Sequence, residues 1–109
     1  MTYRFNRRLL LVAGLLAFTV PAPAFAEGEQ VKIDNFDFTP DVIEVKVGTT
    51  VTFVNHDDIP HSIVSTSGAF RSKALDTDQS FTFTPAKAGE FAYFCGLHPH
   101  MKAKIVVVP

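Results

Sequence analysis

The sequence predicts an all-β domain, a sandwich or barrel of about seven short strands. Three observations point there. Apolar residues alternate with polar ones at a period of two in run after run, the pattern of half-buried strands. Turn residues separate these runs, and no long stretch carries apolar residues at helical spacing. Eight phenylalanines follow residue 26, enough bulky apolar volume to give a short chain one core.

The elements follow in order. Glu27 to Gln30 is expected to be a loose N-terminus. Val31-Lys32-Ile33 opens the first strand, with Phe36 and Phe38 after it. Ile43, Val45 and Val47 alternate with Glu44 and Lys46, and Gly48 ends that run. Val51 and Phe53 alternate with Thr50 and Thr52, and Ile63-Val64 is a short piece after His61. Ser65 to Gln79 is polar around Gly68, Ala69 and Phe70, and reads as a connection between sheets with one helical turn. Phe81 and Phe83 mark the next strand. Phe91, Tyr93 and Cys95 share one face of another, with Gly89 as the turn before it. Ala103, Ile105 and Val107 mark the last.

Residues 1–26 are expected to be a secretory signal peptide, and residues 27–109 the domain. Arg4, Arg7 and Arg8 form a basic start, Leu9 to Val20 is mostly apolar, and Pro21 and Pro23 end it before an Ala24-Phe25-Ala26 cleavage site. The apolar run has 12 residues, short of the roughly 20 that span a bilayer. The Arg7-Arg8 pair alone does not choose between Sec and twin-arginine export. Export implies a periplasmic address if the source is a Gram-negative bacterium. Seven basic and eleven acidic side chains remain after residue 26, a net charge of −4. No basic run is present, which argues against a nucleic-acid partner.

The chemistry gathers in Cys95-Gly96-Leu97-His98-Pro99-His100-Met101. This stretch holds the only cysteine and the only methionine besides Met1. A lone cysteine in an exported chain has no internal disulfide partner, and a metal would protect it from oxidation. Thiolate and thioether suit copper, and one Cys with His ligands and a weak axial Met is the donor set of a blue-copper site. A second His is needed. His61 is the candidate, at a loop rim between two strands in Asn55-His56-Asp57-Asp58-Ile59-Pro60-His61. In a sandwich whose loops gather at its ends, these residues can converge.

Asn-x5-His followed by Cys-x2-His-x2-Met, with the Pro60-His61 pair, the Ala88-Gly89 turn and the terminal Val-rich strand, resembles the cupredoxins, and within them the amicyanin, plastocyanin and pseudoazurin group. The short Cys-to-Met loop is most similar to that of amicyanin. The resemblance covers nearly all of residues 27–109. It implies a Greek-key β-sandwich and one type 1 copper ion held by His61, Cys95 and His98, with Met101 as the long axial ligand. It also implies a carrier of single electrons between donor and acceptor redox proteins, docking at the His98 face, with no membrane partner after signal cleavage.

Three positions depart from the family pattern. Ser62 stands where an Asn is usual, and its hydroxyl is expected to tie the two ligand loops together. Phe91 replaces a common Tyr. Leu97 replaces a common Pro and keeps an N–H, which is expected to point at the Cys95 sulfur and so raise the potential. His56 and His100 are expected to face solvent, and Asp57 and Asp58 to be a solvated loop pair. Pro60, Leu97 and Pro99 are expected to ring the exposed edge of His98 as a modest apolar patch.

Other classes fit less well. A copper carrier or storage protein normally needs several exposed Met or His residues for handover. A thiol hydrolase needs an oxyanion loop, which is not evident, and has no use for the methionine. Cys with two His also suits zinc, but Met is not among its usual ligands.

Overall fold

Residues 28–109 are described by a computed structural model; the expected signal peptide lies outside the described residues. The described chain forms eight strands and no helix. They are β1 (Glu29–Asp34), β2 (Asp37–Thr39), β3 (Val42–Lys46), β4 (Val51–Asn55), β5 (Val64–Ser65), β6 (Ser80–Phe83), β7 (Gly89–Phe94) and β8 (Lys102–Val108). Two four-stranded sheets, ordered β2-β1-β4-β6 and β3-β8-β7-β5, make the sandwich. Parallel pairings of β1 with β4 and of β3 with β8 join strands distant in sequence.

The strand count rises from seven to eight because the first expected strand is a hairpin. The chain reverses at Asn35-Phe36, and β2 returns along β1 with Ile33 opposite Phe38. Glu29 and Gln30, expected to be loose, instead pair with Val51 and Thr52 of β4. Ladder hydrogen bonds along that edge order them despite their polar side chains. Ser65–Gln79 contains no helical turn. Two isolated bridges, His61 to Leu75 and Val64 to Arg71, flatten it against the sheet that holds β5, and Phe70 and Leu75 enter the core.

The alternation sets the faces as expected. Val31, Ile33, Ile43, Val45, Val51, Phe53, Phe91, Tyr93, Ile105 and Val107 are buried, while Val47, just past β3, is 40% exposed. The sheets meet through aromatic edges: Phe53 of β4 lies against Tyr93 of β7, with ring centroids 5.3 Å apart. Phe38 meets the same Tyr93 at 4.8 Å, and Phe70 packs on Phe83 at 4.3 Å. Truncating a core ring such as Phe53 to Ala typically costs about 3–5 kcal/mol.

Candidate metal centre

The first half of the site grows out of the end of β4. Asn55, fully buried, donates through Nδ2 to the carbonyls of Ile59 at 2.9 Å and Leu75 at 2.8 Å. Its Oδ1 accepts the Asp57 N–H at 2.9 Å. One amide thus pins the loop 55–61 at Asp57 and Ile59 and ties it to Leu75. His61 is clamped at its backbone by reciprocal bonds with Leu75, 3.1 and 2.7 Å, and its side chain is fully buried.

The second half follows β7. Cys95 comes directly after Phe94 and is fully buried. Cys95 N–H donates to Met101 O at 3.0 Å, His98 N–H to Cys95 O at 3.2 Å, and Met101 N–H to His98 O at 2.9 Å. The loop is a tight closed turn that leads into β8. Gly96 N–H donates to Ser62 Oγ at 2.9 Å, which is the expected tie between the two halves. A Cβ on Gly96 would stand 2.7 Å from that oxygen, so a larger residue there would have to displace the Ser62 hydroxyl and break the tie.

These contacts bring three donors together. Cys95 Sγ lies 3.6 Å from His61 Nδ1 and 3.7 Å from His98 Nδ1. All three donor atoms lie within 4.8 Å of one another. Separations of this size suit atoms that share one ion at about 2.0–2.3 Å each. The proton placement also fits. His61 Nε2 meets Asp57 Oδ2 at 2.7 Å, so the ring proton sits on Nε2 and the Nδ1 lone pair faces the sulfur. The donor set of one thiolate and two imidazoles therefore fits a single copper ion.

Asp57 is the residue that the sequence reading missed. It is not solvated like its exposed neighbour Asp58: its side chain is 12% exposed. Its carboxylate accepts from Asn35 N–H at 2.7 Å and Phe36 N–H at 3.0 Å as well as holding His61. Burial pushes its pKa up, but the two backbone N–H groups and His61 outweigh this and leave it below the usual carboxylate value. A carboxylate four residues before His61, on a loop pinned by an Asn, was the available signal.

The sulfur has a different donor from the one expected. Ser62 N–H, not Leu97 N–H, points at Cys95 Sγ, at 3.4 Å; among the described residues no bond from Leu97 N–H to the sulfur is formed. The reason is the tight turn, in which the next N–H, that of His98, is bonded back to the Cys95 carbonyl. Met101 is buried, 3% exposed. His98 is half-buried, and His56, His100, Pro60 and Pro99 are exposed as expected. Leu97 is 50% exposed. Phe36, expected in a strand, instead stands at the site, edge-on to both imidazoles.

Known proteins match this arrangement. A family model described as a cupredoxin-like domain covers residues 8–107. Amicyanin from Paracoccus versutus is 33% identical over 96 residues, spanning 84% of this chain and 70% of its own length. Amicyanin-alpha from Methylorubrum extorquens is 31% identical over 108 residues, spanning 94% and 89%. Chloroplastic plastocyanin from Chlamydomonas reinhardtii is 32% identical over 117 residues, spanning 92% and 79%. A solved Cu(I) form of an amicyanin variant aligns with a TM-score of 0.72 at 28% identity, covering 80% of this chain and 88% of that one. With the sandwich, the single thiolate and the two converging imidazoles, these matches make the chain a member of the cupredoxin family, a small one-copper electron carrier and not an enzyme.

Proposed function

We propose that His61, Cys95 and His98 are the strong copper ligands, that Met101 is the weak axial one, and that electrons pass in and out through the edge of His98. The observation that carries this is the convergence of Cys95 Sγ on two Nδ1 atoms, 3.6 and 3.7 Å away, at one end of the sandwich. The ion supplies the one-electron Cu(II)/Cu(I) couple.

The chain's own part is to hold the donors still. Asn55 fixes the first loop, the Cys95–Met101 turn closes on itself, and Ser62 Oγ ties Gly96 to the first loop. Donors held in this way change little between oxidation states, so little rearrangement opposes each transfer. His61 is fully buried whereas His98 is half-buried, so His98 is the ligand a partner can approach. Exposed Leu97 beside it gives an apolar contact without charge. The partners on this reading are a donor and an acceptor redox protein that dock at the His98 face. Residues 1–26 direct export, to the periplasm in a Gram-negative source.

The test is the visible spectrum and voltammetry of the copper-loaded protein. An intense thiolate-to-copper band toward the red, with reversible one-electron voltammetry, is expected. A colourless Cu(I) form that passes its metal to an acceptor would instead make the chain a copper carrier.

A further inference from the structure

Phe36 breaks the ordinary rules of a hairpin. It is the second residue of the two-residue turn between β1 and β2, and both turn residues are left-handed, Asn35 at φ 52° and Phe36 at φ 62°. Such turns favour Asn-Gly, because a side chain in the left-handed region crowds the backbone. Asn35 suits its place; Phe36 does not. The residue is 45% exposed, so burial in the core does not explain it. Yet its ring stands edge-on to both imidazoles, with centroids 5.6 Å from His61 and 5.2 Å from His98 and an interplanar angle of 89° in each case. The turn is held in this posture by Asp57, whose two carboxylate oxygens accept the Asn35 and Phe36 N–H groups at 2.7 and 3.0 Å.

Strain kept at a site, and not repaid by burial in the core, is a sign of function. We propose that Phe36 is a shield that tunes the redox potential. In this role the strained turn, clamped by Asp57, keeps the ring over His61 and His98 and keeps water away from them. The inference rests on the copper-ligand reading above. One thiolate and two neutral imidazoles leave the Cu(II) site at +1, and one electron takes it to a neutral Cu(I) site. Water stabilises the charged form more, so excluding it favours the reduced form and raises the potential.

The experiment compares the copper-loaded parent protein with Phe36→Gly and Phe36→Ala, by visible spectrum and midpoint potential, and compares the copper-free proteins by urea unfolding. Both variants are expected to keep the blue band. Both should shift the equilibrium toward Cu(II) by about threefold to tenfold, roughly 30–60 mV at 59 mV per decade for one electron. The copper-free Gly variant should have a folding constant about fivefold above that of the Ala variant, because Gly relieves the left-handed position and Ala does not. Potentials unchanged from the parent would overturn the proposal. So would an Ala variant as stable as the Gly variant, or a blue parent with colourless variants, since the ring would then be holding the ligands in place. A parent protein without the blue band would defeat the copper-ligand reading itself, a distinct failure.

Discussion

Replacing Asp57 by Asn keeps the shape of the side chain and removes its charge. The carboxylate lies 2.7 Å from Nε2 of His61, on the far side of the ring from the nitrogen that faces Cys95. An ion on that nitrogen would be about 7 Å from the negative charge, and at an effective dielectric of about 20 the interaction is worth roughly 2.4 kcal/mol. The oxidised ion carries one charge more than the reduced one, so the carboxylate favours the oxidised state by about this amount. Removing it shifts the equilibrium toward the reduced state by roughly 1.7 decades, which at 59 mV per decade is about 100 mV. Solvent at the partly exposed rim screens part of this, so a rise of about 50–100 mV is expected. The assay is voltammetry of parent and variant at the same pH and salt, with the blue band as the check on copper binding. Asn offers one acceptor oxygen where the carboxylate offers two, so an N–H loses its partner and stability falls by about 1–2 kcal/mol. A potential that stays put or falls in a blue, folded variant would refute the reasoning.

Two further predictions concern the frame. Tyr93 is 1% exposed, and its hydroxyl has no hydrogen-bond partner among the described residues, so Tyr93→Phe should stabilise the protein by about 1 kcal/mol or more in urea unfolding. Burial first, and the charge of Asp41 second, push the Tyr93 pKa far above its ordinary value of 10.0. The unfolded phenol loses its proton near pH 10 while the folded one keeps it, so stability should fall as pH rises past about 10, and the Phe variant should lack that part of the decline. Ser62→Ala removes the 2.9 Å bond from Gly96 N–H; it should cost about 1 kcal/mol and speed copper loss to a chelator, measured by decay of the blue band.

The sandwich was legible because its strands alternate so plainly: Ile43 and Val45 in β3, and Ile105 and Val107 in β8, turn inward as the period of two requires. The ligand candidates were legible because a lone Cys with His and Met at fixed spacing is rare chemistry. What stayed hidden is what depends on contacts between distant segments. Phe36 reads as one more strand phenylalanine because Asn35 is the only local turn signal and a Phe stands where the turn would favour Gly. The turn exists because β2 must return beside β1 and because Asp57, more than 20 residues away, supplies acceptors for its two N–H groups. Asp57 itself sits beside Asp58 in a polar run, where only its place four residues before His61 sets the half-buried carboxylate apart from the solvated one. The donor to the Cys95 sulfur is hidden from the sequence for the same reason: Ser62 is 33 residues away from the sulfur it approaches.

Asp57 and Phe36 act on the site in opposite directions through one piece of backbone. The carboxylate adds negative charge behind His61 and so favours the oxidised ion. The ring excludes water from both imidazoles and so favours the reduced one. Because the Asn35 and Phe36 N–H groups both end on that carboxylate, the two influences are not independent: a change that weakens the carboxylate also loosens the turn that aims the ring. A neutral Asn at position 57 therefore loses the lowering influence in full and the raising influence in part, and the measured rise falls toward the lower end of its range. The charge on Asp57 thus does two jobs with one group, orienting a buried imidazole and holding a phenylalanine in a conformation it would not otherwise choose. That gives the strained turn a physical reason to persist in a small protein with little stability to spare.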